Sequence, residues 1–428
     1  MEKSRLLVFL LLFLPFSMLH SQETQQDTLR ELIRRIDILT EEIEKAKLGE
    51  VAERKYESQR GLGPAASQVY QLKKAGVSLA GYGEVTYQNF AKENDASLPS
   101  GKNDEIDYLR NIIYVGFRFS DRLVFNSEIE VEHGSTGKKG EVSMEFGYIE
   151  AQLAPAVAVR AGMVLPPVGI INELHEPPTF HGSLRPEVEQ AIIPSTWRTN
   201  GIGFVGSVPA GLGYRVYLVE GLNASKFSAS GIRSGRQSGS KSVAEDFGLT
   251  GRMEYTGWAG IQLGASFYTG YSGQDLIDAD GREIDARVNL FALHGLYNRH
   301  GLELRGLYAH LTIADADRLN RALLLTGDRS LGQKQTGFYL TAAYNVLPLL
   351  RKGVTSAVMP FVQFEKLDTQ AKVPAGFSRS AASERTNIGY GITFKPHPNV
   401  AFKADYLNRK NEAGTAVDQL NFALAYLF

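Results

Sequence analysis

The sequence predicts an all-β fold, a transmembrane antiparallel β-barrel of about sixteen strands behind a short N-terminal periplasmic coiled-coil helix. Three observations point there. First, residues 420–428 place Leu420, Phe422, Leu424, Tyr426 and Phe428 on one face of an extended strand and Asn421, Ala423 and Ala425 on the other, because strand side chains alternate with a period of two. A wholly apolar face that ends on a terminal aromatic residue suits a closing strand in lipid and would be an aggregation-prone edge in water. Second, short alternating runs recur in pairs from residue 77 to the C-terminus. Third, short and long connections alternate between those runs, as they do when every second connection lies on the same side of a membrane.

The 428 residues carry a formal net charge of −1, which gives no bias towards nucleic acid. Gly is abundant at 43, and Tyr and Phe number 19 and 22, a balance that suits many strands, tight turns and interfacial rings. Cysteine is absent, so disulfide frameworks, thiolate zinc sites, thiol catalysis and a lipidated N-terminal Cys are excluded.

Taken in order, residues 1–21 read as a secretory signal peptide. A charged start at Glu2, Lys3 and Arg5 precedes an apolar run from Leu6 to Phe16, and small or polar residues follow at Ser17, His20 and Ser21. The run is too short to span a bilayer comfortably. Residues 22–58 change to a helical pattern: Leu29, Leu32, Ile36, Leu39, Ile43 and Ala46 form a heptad seam, which ends near Gly49. Residues 59–76, with Gly61, Gly63, Pro64 and Ser67, read as a linker.

Residues 77–428 are the expected barrel. Its coarse strands begin with 77–90, 107–119, 122–133, 142–153 and 157–165 and end with 385–395, 399–409 and 417–428. Short turns are expected at Ser120-Asp121, Ala154-Pro155-Ala156, Ala210-Gly211, Trp258-Ala259, Arg299-His300 and Pro396-His397-Pro398, with a somewhat longer one from Leu347 to Val354. Long polar connections alternate with them, which puts both barrel ends on the periplasmic side.

Alternation also sorts the two faces. Ile113, Val115, Phe117, Phe119, Leu123, Phe125, Ile129 and Val131 are expected to face lipid. The opposite face carries Arg118, Glu128, Glu130, Glu132, Arg215, Arg252, Glu254, Glu303, Arg305, Lys403 and Asp405. Charges of both signs can line a water-filled lumen but cannot form an apolar core. Glu128, Glu130 and Glu132 are expected to set a cation-leaning or weak selectivity.

The longest connection, residues 166–200, is stiffened by prolines at 166, 167, 177, 178, 186 and 194 and carries the apolar pieces Ile170-Ile171 and Ala191-Ile192-Ile193. Such anchors favour packing inside the lumen. The constriction would then be set by Glu173, His175, Glu176, His181, Arg185, Glu187, Glu189 and Arg198.

No metal or cofactor is expected. His175, Glu176 and His181 lack His-Glu-x-x-His spacing, and the Pro177-Pro178 pair between them prevents a shared helical face. Asp278, Asp280, Gly281 and Glu283 lack full calcium-loop spacing. No nucleophile elbow, phosphate loop or dinucleotide fingerprint is present, so the chain is not expected to be an enzyme. Arg233-Ser-Gly-Arg236 with Lys241 reads as a solvated basic loop.

Several of these features together resemble Gram-negative outer-membrane porins of the phosphate-selective porin O/P-like superfamily. They are Gly81-Tyr82-Gly83-Glu84, Glu128-Ile129-Glu130, Arg160-Ala-Gly-Met163, Pro167-Val168-Gly169, His175-Glu-Pro-Pro-Thr179, Ile193-Pro194, Trp197, Arg233-Ser-Gly-Arg-Gln237 and the terminal Phe428. The resemblance implies a sixteen-stranded homotrimeric barrel in the outer membrane, with an inward third loop and passive diffusion of small solutes or ions. It implies contact with outer-membrane lipid and lipopolysaccharide, and with a barrel-assembly machinery that would read Leu424, Tyr426 and Phe428. The mixed wall charge matches no basic ladder, so phosphate is left open as the solute. An envelope-anchoring barrel with a periplasmic coiled coil is the alternative function.

Overall fold

The computed structural model describes residues 34–35 and 57–428, apart from 136, 138 and 352. The chain divides into two compact units, 1–56 and 57–428. In the first, only Arg34 and Arg35 are described, as exposed helical residues. The expected signal peptide and all the named positions of the heptad seam lie outside the described residues.

The second unit is a closed barrel of sixteen strands. In order they are β1 (Gly76–Phe90), β2 (Glu105–Arg118), β3 (Leu123–Glu132), β4 (Val142–Ala154), β5 (Val157–Val164), β6 (Thr199–Val208), β7 (Leu212–Glu220) and β8 (Phe247–Tyr255). They continue as β9 (Ile261–Gly270), β10 (Val288–Arg299), β11 (Leu302–Ile313), β12 (Lys334–Tyr344), β13 (Ala357–Lys372), β14 (Glu384–His397), β15 (Val400–Asn411) and β16 (Gln419–Leu427). Each strand pairs antiparallel with its sequence neighbours, and β1 pairs with β16. Short turns gather at one end of the barrel and long loops at the other, as the alternation predicts.

Two glycines make the closing seam possible. The backbones of Gly81 and Phe428 exchange both hydrogen bonds at 2.9 Å. A Cβ on Gly81 would lie 2.6 Å from the Phe428 ring, and one on Gly83 would lie 2.3 Å from the Tyr426 hydroxyl. The rings therefore lie over bare backbone, covering seam glycines as aromatic residues do in other sheets.

Outward residues follow the predicted parity. Ile113, Phe119 and Leu123 are exposed, and Phe204, Leu293, Phe338, Ile392, Phe402 and Phe422 extend the apolar belt around the wall. Inward residues are buried instead: the inner faces of β10 and β11 carry Leu290, Ala292, Leu307, Ala309 and Leu311, each at most 4% exposed. An apolar inner wall needs apolar cover, and the loops supply it with Ile170, Ile171, Val188, Ile192, Ile193 and Trp197, all nearly inaccessible. Trp197 meets Tyr268 of β9 with ring centroids 4.8 Å apart.

Two sequence expectations need correction. Residues 59–76 are not a plain linker: Leu62, Ala65, Ala66 and Val69 are buried. Gly61 at φ 83° and Arg60 at φ 55° form a tight turn, so the small residues serve compactness and not flexibility. The turn expected from Leu347 to Val354 contains a short helix, Leu347–Leu350. The connection between β11 and β12 likewise holds a helix, Ala316–Ala322.

Candidate functional site

The lumen is organised around residues 165–198, the connection from β5 to β6. Asn172 joins its two stems: its side-chain amide donates to the carbonyls of Pro166 (2.7 Å) and Trp197 (3.0 Å), and its oxygen accepts from the Trp197 N–H (2.6 Å). Gly169 (φ 75°) and Gly182 (φ 80°) supply left-handed backbone at the turns. Glu189 closes the first turn. Its carboxylate accepts from the N–H groups of Ile170 (2.7 Å) and Ile171 (2.6 Å) and from the Tyr339 hydroxyl (2.6 Å).

The loop hangs from the wall by charged side chains that serve its backbone. Lys403 donates to the carbonyls of Pro177 and Gly182, both at 2.8 Å, and Lys395 donates to Pro178 at 2.9 Å. Arg305 donates to Thr179 at 2.6 Å, and Arg252 to Gly169 at 2.8 Å. Carboxylates hold the N–H groups: Asp405 accepts from Ser183 (2.6 Å) and Glu365 from Val188 (2.7 Å). An irregular backbone inside a barrel has no ladder to satisfy it, and these side chains take the ladder's place.

Side-chain pairs complete the suspension. Glu173 is shared by Arg215 (2.9 Å) and Arg252 (3.3 Å), which also meet Glu254 at 3.4 and 3.0 Å. His181 meets Glu303 at 2.9 Å, and Glu187 meets Arg385 and, at 2.9 Å, the Asn387 amide. Arg198 pairs with Glu145, while Arg185 donates to the His175 carbonyl at 3.3 Å.

His175 sits against Glu128 at 2.9 Å, and its Nδ1 is 3.1 Å from the Asn172 carbonyl. A carbonyl only accepts, so Nδ1 carries a proton. Wherever the second proton lies, on the ring or on Glu128, the pair has no net charge. Burial, with Arg185 nearby, holds the His175 pKa down at about 4. Burial also raises the pKa of Glu176 to about 7, against the pull of N–H donors from Ala65 and Ala66.

All eleven wall charges chosen from the sequence lie on strands whose inner parity they share, but most of them do not simply line open water. Glu128, Glu130, Arg215, Arg252, Lys403 and Asp405 are buried. Glu130 lies 3.7 Å from Arg110, and Arg118 pairs with Asp121 at the short-turn end. Glu132, Glu254, Glu303 and Arg305 retain partial exposure. Among the loop residues, Glu173, His175, Glu176 and Glu189 are also buried, engaged by the wall, the 57–72 segment or their own loop. They anchor the loop. Of the three acids expected to set a cation-leaning or weak selectivity, Glu128 and Glu130 are buried and Glu132 is partly exposed.

Sequence reasoning also missed partners. Arg110 (with Glu84 and Glu130), Arg160 (with Glu150) and Glu365 share the inward parity of charges that were chosen. Parity could have found them. Arg233 and Arg236 had no such signal. The expected solvated loop instead folds onto residues 165–198, with Arg233 donating to the carbonyls of Gln190 and Ser195 and Arg236 to those of Pro194 and Thr196.

No family model matches the chain. An uncharacterized protein of Aquifex aeolicus strain VF5 is 37% identical over 396 residues, spanning 90% of this chain and 87% of its own. The chain belongs to that protein's family. The fold of this family is also found among solved structures. The outer membrane channel DcaP of Acinetobacter baumannii is similar with a TM-score of 0.53 at 12% identity, over 83% of this chain and 98% of DcaP. An anion-selective porin from Comamonas acidovorans gives 0.52 at 12% identity, over 83% and 100%. OmpF of Salmonella typhi gives 0.51 at 15%, over 83% and 98%. At such identities the likeness is one of fold: a sixteen-stranded barrel of the Gram-negative outer-membrane porin type.

Proposed function

We propose that the chain is an outer-membrane porin through which small hydrophilic solutes or ions diffuse passively. The carrying observation is the closed barrel with an apolar outer belt and a charged interior crossed by an anchored loop. A soluble protein gains nothing from an exposed apolar band around a closed wall, whereas a barrel in lipid requires one. The short-turn end would then face the periplasm.

The interior charges support a lean towards anions, with phosphate as one candidate. Glu128 is neutralised by His175 as a pair, and Glu130 lies beside Arg110. Arg185, Arg233 and Arg236 make their hydrogen bonds to backbone carbonyls, so among the described residues no carboxylate within salt-bridge distance offsets them. Glu132 remains against them as a partly exposed acid. This lean is in keeping with the resemblance of the sequence motifs to the phosphate-selective porin O/P-like superfamily. Homotrimer formation belongs to the same proposal.

Conductance of the mature protein in a planar bilayer under a salt gradient tests the reading. Stepwise openings with an anion-signed reversal potential are expected, and phosphate block would identify the solute class. An inserted, folded protein that never conducts would refute the channel.

A further inference from the structure

Residues 57–72 enter the barrel at its short-turn end and fill space between the loop 165–198 and the walls of β2 to β5. Leu62, Ala65, Ala66, Ser67 and Val69 are at most 3% exposed. The attachment is specific. Glu176 of the loop accepts the N–H of Ala65 (3.0 Å) and of Ala66 (2.9 Å), and the Asn126 amide of β3 donates to the Ala66 carbonyl (2.9 Å). The Tyr70 hydroxyl lies 2.8 Å from that of Tyr148 and donates to Glu150 at 3.0 Å, while Arg60 pairs with Glu150 at 3.2 Å.

The barrel has made room for this segment. A Cβ on Gly116 of β2 would lie 2.6 Å from Val69, and one on Gly63 would lie 2.4 Å from the Glu176 carboxylate. Beside the segment, Ser58, Gln59, Arg60 and Gly61 line a cavity of about 520 Å³ together with Arg215 and Glu254. The segment therefore occupies cross-section that a solute would otherwise use.

Its bonding differs from that of the barrel wall. No residue of 57–72 joins a strand ladder among the described residues. It holds on through polar side-chain contacts from β3, β4, β5 and the lumen loop and through the buried apolar side chains of Leu62 and Val69. Those contacts can break without opening any strand pair, so the segment can separate as a local unit. Its chain is continuous with β1 on one side and with residues 1–56 on the other, so it stays tethered when it leaves.

We propose that residues 57–72 are a retractable plug that narrows the lumen from the short-turn end and leaves without unfolding the barrel. The proposal rests on the channel reading above. The chain has no cysteine, so a disulfide introduced with Ala66→Cys and Asn126→Cys in the full-length protein meets no competing thiol. Single-channel conductance is measured before and after reduction, with closure of the disulfide checked by mass and barrel folding by heat-modifiable gel migration. A second variant deletes residues 57–72.

With the disulfide closed, conductance is expected to fall by about twofold or more and to recover on reduction, because pore cross-section limits flux. The deletion is expected to conduct at least as well as the reduced protein. If it does not fold, the cysteine pair alone decides. Equal conductance and open-state noise in the oxidised and reduced protein would make the segment a fixed wall and overturn the plug. Silence of the intact chain in both redox states, with conductance in the deletion, would make the segment a fixed block and overturn retraction. Silence of every folded variant, the deletion included, overturns the channel reading and takes the plug with it.

Discussion

Replacing Glu189 by Ala should release the lumen loop while sparing the barrel. The Glu189 side chain is inaccessible and accepts three short hydrogen bonds, from Ile170 N–H, Ile171 N–H and the Tyr339 hydroxyl. Removing it orphans three buried donors and leaves a void. An unsatisfied buried donor costs about 1–3 kcal/mol. Water entering the polar lumen recovers part of that, so a net cost of about 3 kcal/mol is expected, near the lower bound for three donors. The cost falls on local opening of residues 165–198, because Glu189 touches no strand ladder. Amide hydrogen exchange by mass spectrometry reads it directly: loop peptides should exchange roughly 100-fold faster, with strand peptides unchanged. Single-channel recordings should show a larger and noisier open state. Loop exchange within about threefold of wild type would show that Glu189 is not a keystone of the loop, and an equal acceleration in the strands would show that loop and wall form one cooperative unit.

Neutralising Glu128, Glu130 and Glu132 together with Gln should move the reversal potential only slightly, because Glu128 shares its charge with His175 and Glu130 lies beside Arg110; a large shift towards anions would show that all three face the solute. Ionisation of Glu176 should favour release of residues 62–69 as pH rises, because burial disfavours the carboxylate despite the N–H donors of Ala65 and Ala66. The folded pKa of Glu176, about 7, lies above the ordinary 4.5, so the stability it lends is complete below about 4.5 and is lost as pH climbs through about 7. Protection factors of the amides in 62–69, taken relative to the pH-dependent intrinsic exchange rate, should fall across that window in wild type and stay level in Glu176→Gln. Gly81→Val should impair closure, since a Cβ there meets the Phe428 ring at 2.6 Å and the Ile112 carbonyl at 2.3 Å. Overpacking of that kind costs about 1–3 kcal/mol, and the fraction of heat-modifiable folded protein after refolding should drop.

The wall of the barrel was legible because its rules are local. Inside and outside follow from residue parity, and Leu420, Phe422 and Phe428 declare their face without reference to any other part of the chain. The same parity placed Arg215, Arg252, Lys403 and Asp405 inward. It could not say what they would meet there. Lys403 finds Pro177 and Gly182 more than two hundred residues away, and Asp405 finds Ser183. Nothing in the neighbourhood of either residue encodes those partners.

The sequence by itself determined a closed wall of about sixteen strands, the segregation of short and long connections, and a long third loop whose apolar anchors favour packing. Only the tertiary structure decided that wall charges hold that loop instead of simply facing solute, that Arg233 and Arg236 clasp it from another loop, and that residues 57–72 are packed into the lumen. The physical reason is the source of each constraint. Strand alternation is a property of the backbone and can be counted along the chain. An irregular segment inside a closed barrel must satisfy its N–H and C=O groups with whichever side chains barrel closure brings within reach, and that set exists only once all sixteen strands are in place.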